Sequence, residues 1–158
     1  MKTIPLTQGK MALVDEVDFK QINQYKWYAL KYNSGKYRAV RTIIDGKGRR
    51  MIYMHREIMD CPKNMQVDHE NHNGLDNRRH NLRICTHSEN NWNQLKTRGL
   101  SQYKGVSWHK TGKKWRAYIA LDSKYIHLGF FNDEASAAFA YDKKAKELFG
   151  RFASLNFN

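Results

Sequence analysis

The sequence has 158 residues, among which 28 Lys and Arg outnumber 15 Asp and Glu to give a formal net charge of +13 at pH 7. This excess of positive charge favours a polyanionic partner over an acidic small molecule, and nucleic acid is the first candidate. No run of about 18 apolar residues is long enough to span a membrane, and the N-terminal residues lack the apolar core of a signal peptide. We therefore expect a soluble intracellular protein with no membrane partner, whose 2 cysteines, too few for a disulfide framework, stay reduced.

Residues 1–60 alternate short β-like runs with turn signals, which predicts a hairpin-rich β segment. The runs are Met11–Val14, Trp27–Leu30, Tyr37–Ile44 and Arg50–Met54. Between the last two, Asp45-Gly46 is the strongest local signal, because Asp-Gly supplies the positive φ angles that a tight hairpin needs.

From Gln66 the composition changes abruptly to His, Asn, Asp and Arg, in the stretch VDHENHNGLDNRRHNLRICTHSENNWN. Polar residues at this density are not expected to build a core. Apolar residues return at Leu82–Cys85, which predicts a strand, and Thr86 with Glu89 forms the T-x-x-E pattern of a capping box at the start of a helix. Asn90 would lie in the first turns of that helix. The sequence KTRGLSQ, residues 96–102, is typical of a short basic linker.

From Tyr103 onward, period-2 runs precede one helical pattern, which predicts a three-stranded antiparallel sheet covered on one face by a helix. The covered face of the strands is apolar and would hold Val106, Trp108, Trp115, Ala117, Ile119, Leu121, Ile126, Leu128 and Phe130. The helix, capped by Asn132 or Asp133 and ended by Gly150, would turn an apolar stripe towards them, formed by Ala135, Ala138, Phe139, Ala145, Leu148 and Phe149. Both tryptophans are therefore expected in the core.

The stretch after Gln66 contains residue types suited to phosphodiester hydrolysis. That reaction needs a group that takes a proton from water and a divalent cation that offsets charge on the phosphate and the leaving oxygen. Asp68 and His69 are adjacent, Asn81 follows them in the polar stretch, and Asn90 lies on the predicted helix. A strand, loop, strand and helix in this order can bring all four side chains together.

The run from His55-Arg56 through VDHENHNGLDNRRHNLR to Asn90-Asn91 resembles the HNH homing endonucleases with the ββα-metal fold. The resemblance implies that His69 is the general base, that Asn81 orients its imidazole, and that Asp68 and Asn90 bind one Mg²⁺ or Mn²⁺ ion. Carboxylate and amide oxygens suit such a hard cation. In the family the last motif position is often histidine, whereas this sequence has Asn90. His55 and Arg56 could either pack the β segment against the nuclease unit or contribute to catalysis.

Other polar residues around this motif admit more than one role. Because the arginine fork matches a phosphate, we expect Arg78, Arg79 and Arg83 to contact the DNA backbone rather than form a solvated cluster. A zinc site built from Cys61, Cys85 and the histidines His72, His80 and His87 is a weaker alternative, because the sequence has no C-x-x-C pair.

The C-terminal segments YKGVSWH, KWRAYIA, HLGFFNDEASAAFAYDKKAKELFG and LNF resemble the plant ethylene-response-factor (Apetala-type) DNA-binding domain. In that family the exposed face of the sheet lies in the major groove, which admits a β-ribbon that reads base edges. The matching positions here are Lys104, Ser107, His109, Arg116, Tyr118, Tyr125 and His127. Several positions that hold Arg or Trp in the plant proteins differ here, Ala120 among them, so the plant recognition sequence is not carried over.

Together these observations predict an α+β protein with a β-rich N-terminal nuclease segment (1–60), an HNH ββα-metal motif (61–95), a linker (96–102) and an ethylene-response-factor domain (103–158). The predicted function is that of a metal-dependent homing endonuclease from a phage or mobile element. It would cut double-stranded DNA as a monomer in the cytoplasm of a bacterial or phage-infected cell. A non-catalytic DNA-binding transcriptional regulator and an RNA-binding or RNA-processing protein are the alternatives.

Overall fold

The chain has an α+β fold in a computed structural model that describes residues 1–157 apart from 34, 47 and 96–98. It divides into two compact units, Met1–Asn90 and Asn91–Asn158. The predicted division at residues 60, 95 and 102 stays a prediction. Lys47 of the predicted Asp45–Gly48 turn and residues 96–98 of the predicted linker lie outside the described residues. None of the described helices has the length and apolar character that a membrane-spanning helix requires.

The first unit contains most of the short strands of the chain. Its elements, in chain order, are β1 (Lys2–Pro5), β2 (Met11–Val14), α1 (Glu16–Asn23), β3 (Tyr28–Asn33), β4 (Lys36–Asp45), β5 (Gly48–Tyr53), α2 (Met54–Ile58), β6 (Gln66–His69), β7 (Leu82–Cys85) and the start of α3 (His87–Trp92). The pairs β1–β2 and β6–β7 are antiparallel hairpins, and β3, β4 and β5 form an antiparallel sheet in that order. The predicted β-rich segment therefore also contains α1 and α2.

Helices α1 and α2 were not predicted from the sequence because both are short. In α1 the core contacts come from Phe19 and Ile22, one turn apart, which is too short a run to show a helical period. Met54, predicted to end a strand, begins α2 instead. One core joins the whole unit, because Val67 of β6 and Leu82 of β7 pack in the same cluster as residues of β1, β2 and α2.

The polar loop between β6 and β7 is partly buried, which the composition of the stretch did not indicate. Asn77 has no exposed surface, and Asp76 is nearly as buried. The loop forms backbone hydrogen bonds with β2: Leu13 N donates to Leu75 O at 2.8 Å, and Asn77 N donates to Leu13 O at 2.8 Å. Polar groups can be buried at low cost when they are hydrogen-bonded, and the partners here come from a distant part of the chain.

The second unit matches the predicted sheet and helix. Its elements are β8 (Val106–His109), β9 (Lys114–Leu121), β10 (Lys124–Phe131), α4 (Glu134–Phe149) and a 3₁₀ turn (Gly150–Phe152). The strands are antiparallel with β9 in the centre, and α4 packs on them through Ala137, Ala138, Tyr141 and Ala145. The side chain of Asp133 accepts a hydrogen bond from Ser136 N at 2.8 Å, which confirms it as the cap of α4.

Three apolar residues predicted to lie in this core are instead exposed. A β-bulge between His127 and Gly129 shifts the alternation of β10, so Phe131 packs inwards and Phe130 is 48% exposed. Trp108 shares its face with Trp115 as predicted, but it lies at the end of a short strand and is 39% exposed. Phe139 of α4 is 59% exposed and stacks on Phe157.

The C-terminal tail is fixed by a buried carboxylate on α4. Asp142 accepts hydrogen bonds from the backbone nitrogens of Asn156 and Phe157 and from the Asn156 side chain. The Asn156 side chain in turn bonds both backbone groups of Lys104, with Lys104 N donating at 2.6 Å. These bonds explain why the LNF ending belongs to the folded unit.

Candidate active site

The HNH-like stretch folds as two antiparallel strands followed by a helix. In the register of β6 and β7, Asp68 faces Arg83 and His69 faces Leu82. The capping box is confirmed: Glu89 N donates to Thr86 Oγ1 at 3.2 Å, and the Glu89 carboxylate accepts from Thr86 N at 2.7 Å. Asn90 lies on α3, so the structure places Asp68 and His69 on the first strand and Asn90 on the helix.

His69, at the end of β6, is a buried histidine beside a second one. Its ring centroid is 4.9 Å from that of His55 in an edge-to-face arrangement. Burial lowers the pKa of His69 to about 4, the side chain of Asn77 opposes this shift, and the positive charge of Arg38 adds to it. The imidazole is therefore neutral at pH 7, the form that can accept a proton.

His55 and Arg56 at the start of α2 have different surroundings. Arg56 donates to the backbone oxygens of Met65 at 2.7 Å and Pro62 at 2.8 Å, so it holds the segment that leads into β6. His55 is buried, and its Nδ1 has no hydrogen-bond partner among the described residues. Burial, followed by the charge of the neighbouring His69, lowers the pKa of His55 well below its usual value. Arg56 has the packing role, whereas His55 contacts the predicted general base.

Asn81 closes the loop that separates the two strands. Its Oδ1 accepts from Asn71 N at 2.9 Å, and its Nδ2 donates to Asp76 O at 2.8 Å. Its backbone oxygen accepts from Glu70 N at 2.9 Å, directly after His69. The Asn81 side chain therefore fixes the path of the loop on which the end of β6 depends. Its assignment as the residue that orients the His69 imidazole stays a prediction.

The two predicted metal ligands are both engaged with neighbours. The Asp68 carboxylate accepts from Nε and a terminal nitrogen of Arg83. Asn90 donates its amide nitrogen to Oε1 of Gln66, which lies two positions before Asp68 on β6. Gln66 also bonds Nδ1 of His87 at 3.0 Å.

The oxygen atoms of Asp68 and Asn90 are of the kind that binds a hard cation. Because the Asn90 nitrogen bonds Gln66, the amide oxygen is the atom suited to bind a cation. Mg²⁺ is commonly held by one or two protein oxygens, water and a substrate phosphate, so one carboxylate and one amide oxygen fit it. No group of three or more His, Cys, Asp or Glu in the described part of the chain could hold a metal ion, which leaves the zinc alternative without a site there.

The three arginines predicted to contact the DNA backbone are each paired with a carboxylate. Their partners are Asp76 for Arg78 at 2.7 Å, Asp18 for Arg79 at 2.7 Å, and Asp68 for Arg83. Arg83 is buried, whereas Arg79 keeps half of its side chain exposed. The Arg79–Asp18 pair joins the loop to α1, and the Arg83–Asp68 pair joins β7 to β6. DNA contact by these arginines stays a prediction.

In the second unit, the face of the sheet opposite α4 carries aromatic and basic side chains, as the sequence predicted. Arg116 lies 5.4 Å from the Tyr118 ring and donates to Ser107 Oγ at 3.3 Å. The Tyr118 and Tyr125 rings are 5.7 Å apart, and Tyr125 is 77% exposed. Phe130 joins this face after the bulge, with its ring 5.0 Å from His109 and 4.7 Å from His127.

Lys104, also predicted to bind DNA, differs from the other residues on that list. It is half-buried and donates to Trp92 O at 2.6 Å, and burial lowers its pKa to about 8. Its contact with DNA stays a prediction.

Sequence reasoning missed several residues of the site. Asn77 lies inside the motif, and its place in the LDNRR run was the available signal. Gln66 precedes the motif on the same face of β6 as Asp68, so the period of the strand could have indicated it. Arg38 lies on β4, far from the motif in sequence, and no local pattern pointed to it.

The stretch therefore has the strand, strand and helix order of the predicted ββα unit. The HNH endonuclease family model matches residues 60–92. A protein of Acanthamoeba polyphaga mimivirus, named as an uncharacterized HNH endonuclease, is 30% identical over 159 aligned positions, which cover 94% of this chain and 76% of that protein. The chain belongs to the HNH endonuclease family and is a nuclease by that membership.

Two further similarities concern parts of the chain. Protein 3.8 of Escherichia phage T7 is 31% identical over 93 residues, which cover 58% of this chain and 76% of the phage protein. APETALA2-like protein 2 of Oryza sativa subsp. indica is 47% identical over 62 residues, which are 38% of this chain and 14% of the plant protein. The second match confirms the resemblance to Apetala-type proteins.

Proposed function

We propose that the chain is a divalent-metal-dependent endonuclease of the homing type that cuts double-stranded DNA. The observation that carries this proposal is the β6–β7–α3 unit, which holds Asp68 and His69 on one strand and Asn90 on the helix beside it. Family membership supplies the nuclease activity. The residue chemistry supports the metal, and the charge of +13 supports the polyanionic substrate.

In this proposal His69 accepts a proton from the attacking water, because a neutral imidazole is the side chain best suited to that task. Asp68 and Asn90 hold one Mg²⁺ or Mn²⁺ ion, which when bound offsets charge on the phosphate and the leaving oxygen. Arg83, paired with Asp68, keeps that carboxylate in place on β6. Asn81 keeps the loop after His69 in one conformation through its bonds to Asn71 and Asp76.

We further propose that the exposed sheet face of the second unit selects the DNA sequence while the first unit cuts. The similarity to an Apetala-type protein and the Arg116–Tyr118 pair on this face support that division. Two DNA-contacting units on one chain raise the effective concentration of each at the DNA, so a monomer is sufficient. We place its action in the cytoplasm of a bacterial or phage-infected cell, where its substrate lies.

The test is incubation of supercoiled plasmid with the purified chain in Mg²⁺, in Mn²⁺ and in EDTA. We expect nicked or linear product only with a divalent ion. His69→Ala should lower the rate by about 10²–10⁴-fold, the range typical of a lost general base. His80→Ala, an exposed histidine of the same stretch, is the matched control and should keep the rate. Binding without cleavage in every condition would favour the DNA-binding regulator, and cleavage of matched RNA alone would favour the RNA-processing alternative.

A further inference from the structure

Arg38 of β4 lies against the loop that separates β6 from β7. The contact is visible at the buried Gly74, where an added Cβ would lie 3.2 Å from Cγ of Arg38 and 2.4 Å from the carbonyl oxygen of Tyr37. Only a residue without a side chain allows the loop to approach β4 this closely. Arg38 is thus brought to the motif by tertiary packing within the first unit.

Among the described residues, the guanidinium of Arg38 has no carboxylate partner of the kind that other arginines of this unit have. Arg41, Arg78 and Arg79 each pair with a carboxylate, as do Arg50 and Arg83. Arg38 instead lies 4.4 Å over the Tyr32 ring, and its Nε is buried without an acceptor among the described residues. A buried charged donor without an acceptor is costly, so this arrangement suits a site that an anion completes.

The surroundings of Arg38 identify which site that is. Gly74, against which Arg38 packs, belongs to the loop that begins directly after His69, and the His55 ring centroid lies 4.9 Å from that of His69. His55 Nδ1 is also buried without a hydrogen-bond partner among the described residues. Two buried nitrogens with unused bonding capacity, Arg38 Nε and His55 Nδ1, therefore belong to residues that contact either the loop or His69 itself.

We propose that Arg38 binds the scissile phosphodiester of DNA beside His69 and completes the active site from the N-terminal sheet. This inference rests on the proposed function. A guanidinium offers paired donors that match two phosphate oxygens, and it is most effective where water is excluded. Arg38 would act during bond cleavage, because it stabilises charge on the phosphate while His69 takes the proton from water.

The test measures plasmid nicking at saturating protein and, separately, DNA affinity in EDTA, for the full chain and its variants. Arg38→Gln should lower the nicking rate constant by about 10²–10³-fold, as expected for loss of one transition-state donor, with an affinity change of only a few-fold. Arg38→Lys keeps the charge without the fork and should lose about tenfold or more, because the two side chains are not equivalent at a bidentate site. Arg50→Ala removes an exposed charge from the same sheet and should keep the wild-type rate constant.

Several outcomes would overturn the proposal. A folded Arg38→Gln variant that keeps the wild-type rate constant would overturn it. A folded Arg38→Gln variant that loses DNA affinity but keeps the rate constant would overturn it as well. Urea unfolding shows whether each variant is folded. If Arg38→Gln does not fold, the test passes to Arg38→Lys, and a folded Arg38→Lys variant that nicks at the wild-type rate would refute the bidentate contact. A wild-type chain that does not cut at all would instead refute the proposed function, so the two failures are distinguishable.

Discussion

Replacing Asn81 with alanine removes the side chain that ties together the two ends of the β6–β7 loop. Two hydrogen bonds are lost, to Asn71 N at 2.9 Å and to Asp76 O at 2.8 Å. The Asp76 carbonyl is buried, so water cannot replace the amide there, whereas Asn71 is exposed and its N–H can be solvated. The two losses are therefore unequal in free energy.

The buried bond should cost about 1–3 kcal/mol and the half-buried bond about 0.5–1.5 kcal/mol. We expect the free energy of unfolding of the first unit to fall by about 1.5–4.5 kcal/mol in total. For a protein of ordinary stability this is a large fraction of the whole, so the variant should unfold at clearly lower denaturant.

Urea unfolding of the full chain, followed by tryptophan fluorescence, measures this change, with the exposed Asn64→Ala as the matched control. An Asn81→Ala variant as stable as the wild type would refute the reasoning. The nicking rate of the folded Asn81→Ala variant at low temperature then tests whether Asn81 also orients His69. A lost rate constant would support Asn81 as the residue that orients His69, and a wild-type rate constant would limit it to holding the loop.

The remaining predictions concern the second unit. Arg116→Ala should relax preference at particular base pairs by about 1–3 kcal/mol, whereas Lys143→Ala on the exposed side of α4 should not. Binding titrations of both variants against a panel of duplexes at one salt concentration measure this difference. Equal losses of affinity on every sequence would contradict base reading. Because the folded pKa of Lys104 is about 8 against an ordinary 10.5, the unfolded chain binds more protons between these pH values, and the free energy of unfolding should rise with pH across that window. Urea unfolding of wild type and Lys104→Met measures this rise, which should be smaller in the variant.

The ββα unit could be predicted because its signals are local. Leu82–Cys85 is a short apolar run, and the pairing of Thr86 with Glu89 is written within four consecutive residues. The exposed face of the second sheet was predicted for the same reason, since alternation along a strand depends only on neighbours in sequence. Asp133 as the cap of α4 is a third local signal that the structure confirms.

Predictions that depended only on the alternation of apolar residues along a strand failed where the strand is irregular or ends. The bulge after His127 reverses the alternation, which exposes Phe130 and packs the partly buried Phe131 against the core. Trp108 keeps the predicted face but lies where the sheet ends, so an apolar residue on the correct face is still exposed. Neither the bulge nor the edge of the sheet has a marker in the period of apolar residues.

The sequence by itself determined the chemistry available to this protein: an adjacent Asp68 and His69, an amide on the following helix, and a surplus of positive charge. Tertiary structure decided how that chemistry is surrounded. It buried Asp76 and Asn77 by pairing their loop with Leu13, and it brought Arg38 to the loop through the close approach at Gly74. The physical reason is that burial and electrostatic neighbours depend on contacts between distant parts of the chain, whereas local patterns record only backbone preference and alternation.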